Sequence, residues 1–119
     1  MQGTRVTYAF HVPGTLAANV SIVFTLPFDA QLVHLSAVGS NGNNGILDLG
    51  YVGALEAYVK DLDIGDNNAP AECEDPDDFV GSNFPHIAAG TILAASLDYD
   101  GAGGTATHDF TLVLTFTEG

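Results

Sequence analysis

Tryptophan is absent from this sequence, and cysteine and methionine each occur once. The lone thiol, Cys73, leaves no intrachain disulfide to form, so packing must hold the fold unaided. Cations are nearly missing too. Arg5 and Lys60 face fifteen carboxylates, eleven of them aspartates, for a net charge of −13. Such a surface repels phosphate within a Debye length, roughly 8 Å at physiological salt, which argues against nucleic acid as a partner. No apolar run approaches the ~18 residues of a membrane helix. Val20–Leu26 is short and alternating, and no hydrophobic leader segment follows Met1–Arg5, so neither a membrane nor a secretory signal is expected.

Chemical signatures are equally scarce. There is no phosphate-binding glycine loop, no Gly-x-Ser-x-Gly elbow and no dinucleotide fingerprint. His11, His34, His86 and His108 follow no zinc spacing and read as structural imidazoles in or beside strands. The acids cluster in one stretch rather than at strand ends over a cleft, so no glycosidase pair can be picked out. An enzyme is not expected.

What is present is alternation. His108, Phe110, Leu112, Leu114 and Phe116 interleave with Asp109, Thr111, Val113, Thr115 and Thr117. A strand sends successive side chains to opposite faces, so one face here is apolar and the other mostly threonine. Before it, Leu93, Ala95, Leu97 and Tyr99 share a face, and the glycines of Asp100–Ala106 permit a chain reversal. The two segments, 92–99 and 107–117, are expected to pair as a hairpin at the middle of a β-sandwich.

Earlier segments repeat the theme. Thr4–Val12 is a strand closed by Pro13-Gly14. Val20–Leu26 points Val20, Ile22, Phe24 and Leu26 inward. Gln31–Gly39 sets Leu32, His34, Ser36 and Val38 opposite Val33, Leu35 and Ala37. Ile46–Val52 follows the strong turn Ser40–Gly45, and Gly53–Lys60 reads as a further short strand. The expected fold is all-β: one antiparallel, jelly-roll-like sandwich of about eight strands, a single domain over residues 1–119. Its length is enough to bury a core of roughly 65% of the unfolded surface.

One stretch breaks the pattern. Asp61–Asp78 carries eight of the fifteen carboxylates and two prolines, and reads as a long acidic loop excursion. Asp61, Asp63, Asp66 and Glu72 supply hard oxygens of the kind Ca²⁺ takes. The spacing begins like an EF-hand loop, then places Gly65 where a third ligand belongs. The set is a candidate for a weakly held Ca²⁺, beside the plainer reading of a solvated loop. Glu72 and Glu74 flank Cys73 and disfavour its thiolate.

Phe84-Pro-His-Ile-Ala-Ala-Gly-Thr-Ile-Leu93, the glycine loop after Tyr99-Asp100 and the closing Thr111–Gly119 run form a recognisable series. With Phe10-His-Val-Pro-Gly-Thr-Leu16 and Phe24-Thr-Leu-Pro-Phe-Asp-Ala30, the pattern resembles small β-sandwich virion proteins of tailed bacteriophages. The resemblance implies a capsid decoration protein, often a homotrimer, seated on the major capsid protein at the virion surface. A tail, fibre or neck component is the alternative within that class. Three copies would gather three times −13 charges, so their contacts should avoid the acids. On charge alone, the arm Met1–Arg5, with Thr4 and Arg5, and the turn bearing Asn41, Asn43 and Asn44 are expected to form the shell-contacting end. A carbohydrate-binding sandwich is the competing class; it would need exposed rings, for which Tyr51, Tyr58 and Tyr99 are the candidates.

Overall fold

The computed structural model describes residues 4–119. The strands are β1 (Arg5–Thr15), β2 (Val20–Thr25), β3 (Ala30–Val38), β4 (Ile46–Tyr51), β5 (Ala54–Asp63), β6 (Ala71–Cys73), β7 (His86–Ile87), β8 (Ile92–Asp98) and β9 (His108–Glu118). They form two antiparallel sheets. The first has the order β1-β9-β3-β6, with β7 also bonded to β3; the second has the order β2-β8-β4-β5. Setting the two-residue β7 aside, the pairs are β1 with β9, β2 with β8, β3 with β6 and β4 with β5. The chain is thus a long hairpin folded back at Val52-Gly53 and then rolled into two layers, the eight-strand jelly-roll arrangement.

The rolled path explains one departure from expectation. β8 and β9 do not pair with each other. Thr107 donates its N–H to the Tyr99 carbonyl at 2.9 Å, and the strands then part into opposite sheets. Each has an apolar face, and two such faces bury more against one another across the interior than side by side in one sheet. Both strands do hold inner places, β9 between β1 and β3 and β8 between β2 and β4.

Phe110, Leu112, Leu114 and Phe116 are all completely buried, at about 1.5–3 kcal/mol each relative to exposure. β2 alternates as its sequence predicts. β3 does not. A bulge between Leu32 and His34 adds one residue against β9, so Leu32 joins Leu35 and Ala37 in the core, while Val33 and His34 lie on the outer side. The even alternation expected for this strand is therefore broken at its third residue.

β1 also runs past Pro13-Gly14 to Thr15, through an irregularity after Val12. Pro13 lacks a donor, but β1 is an edge strand and tolerates it. Gly14 takes a φ of +83° and gives its N–H to Asp109 Oδ1 at 2.7 Å.

The acidic stretch is more structured than its composition suggests. β5 continues to Asp63, Ile64 is buried, Gly65 bridges to Val38, β6 closes the outer edge of the first sheet, and a single 3-10 turn spans Pro76–Asp78. Buried Ile64, Cys73 and Phe79 pin it to the core as it passes from one sheet's edge to the other's.

Candidate functional site

The strand directions give the sandwich two unlike ends. At one end lie Arg5, the β2–β3 turn, the β4–β5 turn, the approach to β8 and the close of β9. At the other lie the turns at 16–19, 39–45, 64–70 and 99–107. Asp63, Asp66, Asp98, Asp100 and Asp109 gather at or beside the second end. Asp48, Glu56, Asp61, Glu72 and Glu74 line the β4–β5 and β6 side. Asp75, Asp77 and Asp78 lie exposed in and just before the 3-10 turn that leads to Val80. The Arg5 end carries Asp29 and Glu118, and Asp29 is engaged, its Oδ1 accepting the Ala89 N–H at 2.7 Å.

The Arg5 end is also where apolar side chains reach solvent. Val52 is 58% exposed, Leu55 50%, Ile92 45% and Tyr51 40%. They are held together by the backbone: Val52 donates its N–H to the Ile92 carbonyl at 3.0 Å, and Leu55 follows Ala54, the partner of Tyr51 across the turn. Gly50 makes the turn possible, because β5 folds closely over it; a Cβ there would sit 2.1 Å from the Ala54 carbonyl oxygen. The Tyr51 and Tyr58 rings lie 5.9 Å apart, and burial, with Tyr51 close by, raises the Tyr58 phenol above its ordinary value. Val80, itself exposed and two residues after Asp78, donates its N–H to the Tyr58 carbonyl.

The expected contact residues are not brought together. Met1–Gly3 lie outside the described residues. Thr4 and Arg5 sit against Glu118 and Thr117 at the apolar end. Asn41, Asn43 and Asn44 lie at the far end of β1 and β3, roughly 30 Å away at ~3.3 Å per strand residue. Their amides act as staples. Asn41 Nδ2 donates to the Ala106 carbonyl while its Oδ1 accepts the His108 N–H. Asn43 Oδ1 accepts the Gly45 N–H, and Asn44 Oδ1 accepts the Thr105 N–H. Asp109 completes this end: Gly14 N–H and the Ser40 hydroxyl hold its carboxyl below the usual range, with His11 and His108 adding to the effect.

The four carboxylates proposed for Ca²⁺ also separate. Asp61 groups with Asp48 and Glu56, and Asp48 Oδ1 accepts the Asp61 N–H at 2.7 Å. Asp63 ends β5 opposite Ile46. Asp66 Oδ1 caps its own turn, accepting from Asn68 and Ala69 N–H. Glu72 stands beside His34, with Nε2 and Oε1 3.0 Å apart, and Glu74 joins them. The involvement of Glu74 was readable from its i, i+2 relation to Glu72; that of His34 was not.

Of the remaining histidines, His11 Nδ1 bonds Thr111 Oγ1 at 2.8 Å, His86 is exposed, and the His108 backbone binds Asn41. Cys73 is buried; burial, with Asp78 nearby, pushes its thiol up to about 11. Asp78 accepts the N–H groups of Asp75 and Glu74, which lower its carboxyl.

No family model matches this sequence, and no curated protein matches it. Among solved structures the fold has a counterpart in a chain of the Cyanophage Pam1 capsid asymmetric unit, with a TM-score of 0.59 at 14% identity. The likeness is one of fold. It spans 99% of this chain and 87% of the other, so two chains of similar length share one sandwich plan. Residue roles do not transfer at that identity.

Proposed function

We propose that this chain is a non-enzymatic virion structural protein, a capsid decoration protein that docks on the major capsid protein as a homotrimer. The observation that carries the reading is the whole-chain fold likeness to a chain of a cyanophage capsid asymmetric unit. The charge layout supports it. An end bearing Tyr51, Val52, Leu55 and Ile92, with Arg5 at its margin, offers apolar contact area, while Asp63, Asp66, Asp98, Asp100 and Asp109 gather at or beside the opposite end. The opposite end keeps its carboxylates in water.

The test is cosedimentation of the purified protein with decoration-free capsids. Binding is expected from the wild type, lost in a Val52→Asp, Leu55→Asp double variant, and kept in an Asn44→Asp variant at the far end. Failure of the wild type to cosediment at any salt concentration sinks the reading. Light scattering after size exclusion checks the trimer. A carbohydrate-binding reading rests on the neighbouring Tyr51 and Tyr58 rings, and a glycan array without a binder removes it.

A further inference from the structure

The outer face of the first sheet holds a donor set that the docking reading leaves unused. We propose that His34, Glu72 and Glu74 bind a divalent transition metal of the Zn²⁺ type. Three features of the strands assemble the set. His34 precedes the inward-facing Leu35 in β3 and so lies on the outer face, and the bulge between Leu32 and His34 sends Val33 outward beside it while Leu32 stays in the core. On the adjacent edge strand Cys73 pairs with Leu35 and points inward, so Glu72 and Glu74 both project outward on the His34 side. Their ligand atoms and the His34 ring nitrogen all lie within 4.8 Å of one another.

The spacing suits a small tetrahedral ion. With metal–ligand bonds of about 2.0–2.1 Å, neighbouring donors stand ~3.3 Å apart. His34 Nε2 and Glu72 Oε1 are already 3.0 Å apart, and Glu74 closes the third corner by side-chain rotation on an exposed strand edge. A fourth position is left for water. One imidazole nitrogen with two carboxylates favours borderline ions such as Zn²⁺ over Ca²⁺, whose sites are built from oxygen alone. In the hydrogen-bonded tautomer Nε2–H donates to Glu72. Metal binding needs the Nε2 lone pair, so a neutral ring first shifts its proton from Nε2 to Nδ1, and a doubly protonated ring releases its Nε2 proton to solvent. The net charge of −13 raises the local concentration of any cation.

The second acidic group, Asp48 with Glu56 and Asp61, serves as the control. It has no nitrogen donor, and Asp48 Oδ1 is engaged by the Asp61 backbone.

Titration calorimetry of the intact protein with ZnCl₂ is expected to show one saturable site, with no matching heat from CaCl₂ at the same concentrations. His34→Gln and Glu74→Gln should each weaken Zn²⁺ binding by at least about tenfold, and Asp61→Asn should not. Glu74 is exposed, so its variant remains informative if the His34 variant folds poorly. A ¹⁵N shift of His34 Nε2 on titration identifies the ligand directly. Absence of saturable Zn²⁺ binding, or binding unchanged in both variants, overturns the site.

Discussion

Truncating Phe116 to alanine tests the core assignment most directly. The ring is completely buried, lies 5.6 Å from Tyr8, and stands opposite Val6 on one side and Leu32 on the other. Removing it deletes most of a large side chain from between the sheets, at a cost of about 3–5 kcal/mol including the cavity left behind. Domains of this size have about 5–15 kcal/mol to lose. With a urea m-value of about 1–3 kcal/mol/M, taken near 1.5, the unfolding midpoint should fall by roughly 2–3 M. Thr115→Ala changes the neighbouring residue on the same strand, whose side chain faces the other way and is half-buried. Its cost should stay within about 1 kcal/mol. Urea denaturation followed by circular dichroism reads both. Equal losses from Phe116 and Thr115, or a larger loss from Thr115, would refute the placement of β9 and with it the two-layer arrangement.

Other consequences are open to equally simple measurement. Gly50→Ala and Gly65→Ala would set a Cβ 2.1 Å from the Ala54 oxygen and 1.8 Å from the Ala69 oxygen, so each should lower stability by at least about 1–3 kcal/mol. Gly42→Ala meets nothing within 4 Å and should be close to neutral in the same melts. The carboxyls of Asp78 and Asp109 are lowered in the fold, so their contribution is present above the unfolded value near 3.8 and is lost as pH falls through their native values. A Asp78→Asn, Asp109→Asn double variant should therefore lose less stability than the wild type between pH 4 and pH 2 (approximate bounds). Cys73, buried and with its thiol raised to about 11, should resist a thiol reagent at neutral pH and react once urea unfolds the chain. Rapid labelling of the native protein would show that it is exposed.

Period-two alternation made the layers legible. Val20–Thr25 turns Val20, Ile22 and Phe24 to its covered side, and in His108–Glu118 the residues Phe110, Leu112, Leu114 and Phe116 are completely buried, as the alternation of each marks. Pairing was less accessible. Nearness along the chain suggested a hairpin for β8 and β9, whereas the partner of each is chosen by which apolar faces oppose across the core. The bulge in β3 depends on its register against β9, so no local pattern around Leu32–Leu35 announces it. Turn chemistry placed Ser40–Gly45 correctly as a reversal, but the amides of Asn41 and Asn44 are directed at residues 105–108, more than sixty positions away. That distance in sequence hid their stitching role. The acidic composition of 61–78 likewise concealed Ile64, Cys73 and Phe79, whose burial ties the segment down.

β9 follows the other eight strands along the sequence and lies between β1 and β3. Until it arrives, Tyr8, Phe10 and Leu32 have no neighbour along that side, and the first layer cannot close. Ribosomal synthesis thus offers no halfway house: the sandwich must wait for β9 and form through contacts between distant parts of the chain, which makes folding slow. A chain cut short before β9 would present two greasy strand margins and should associate through them instead of folding.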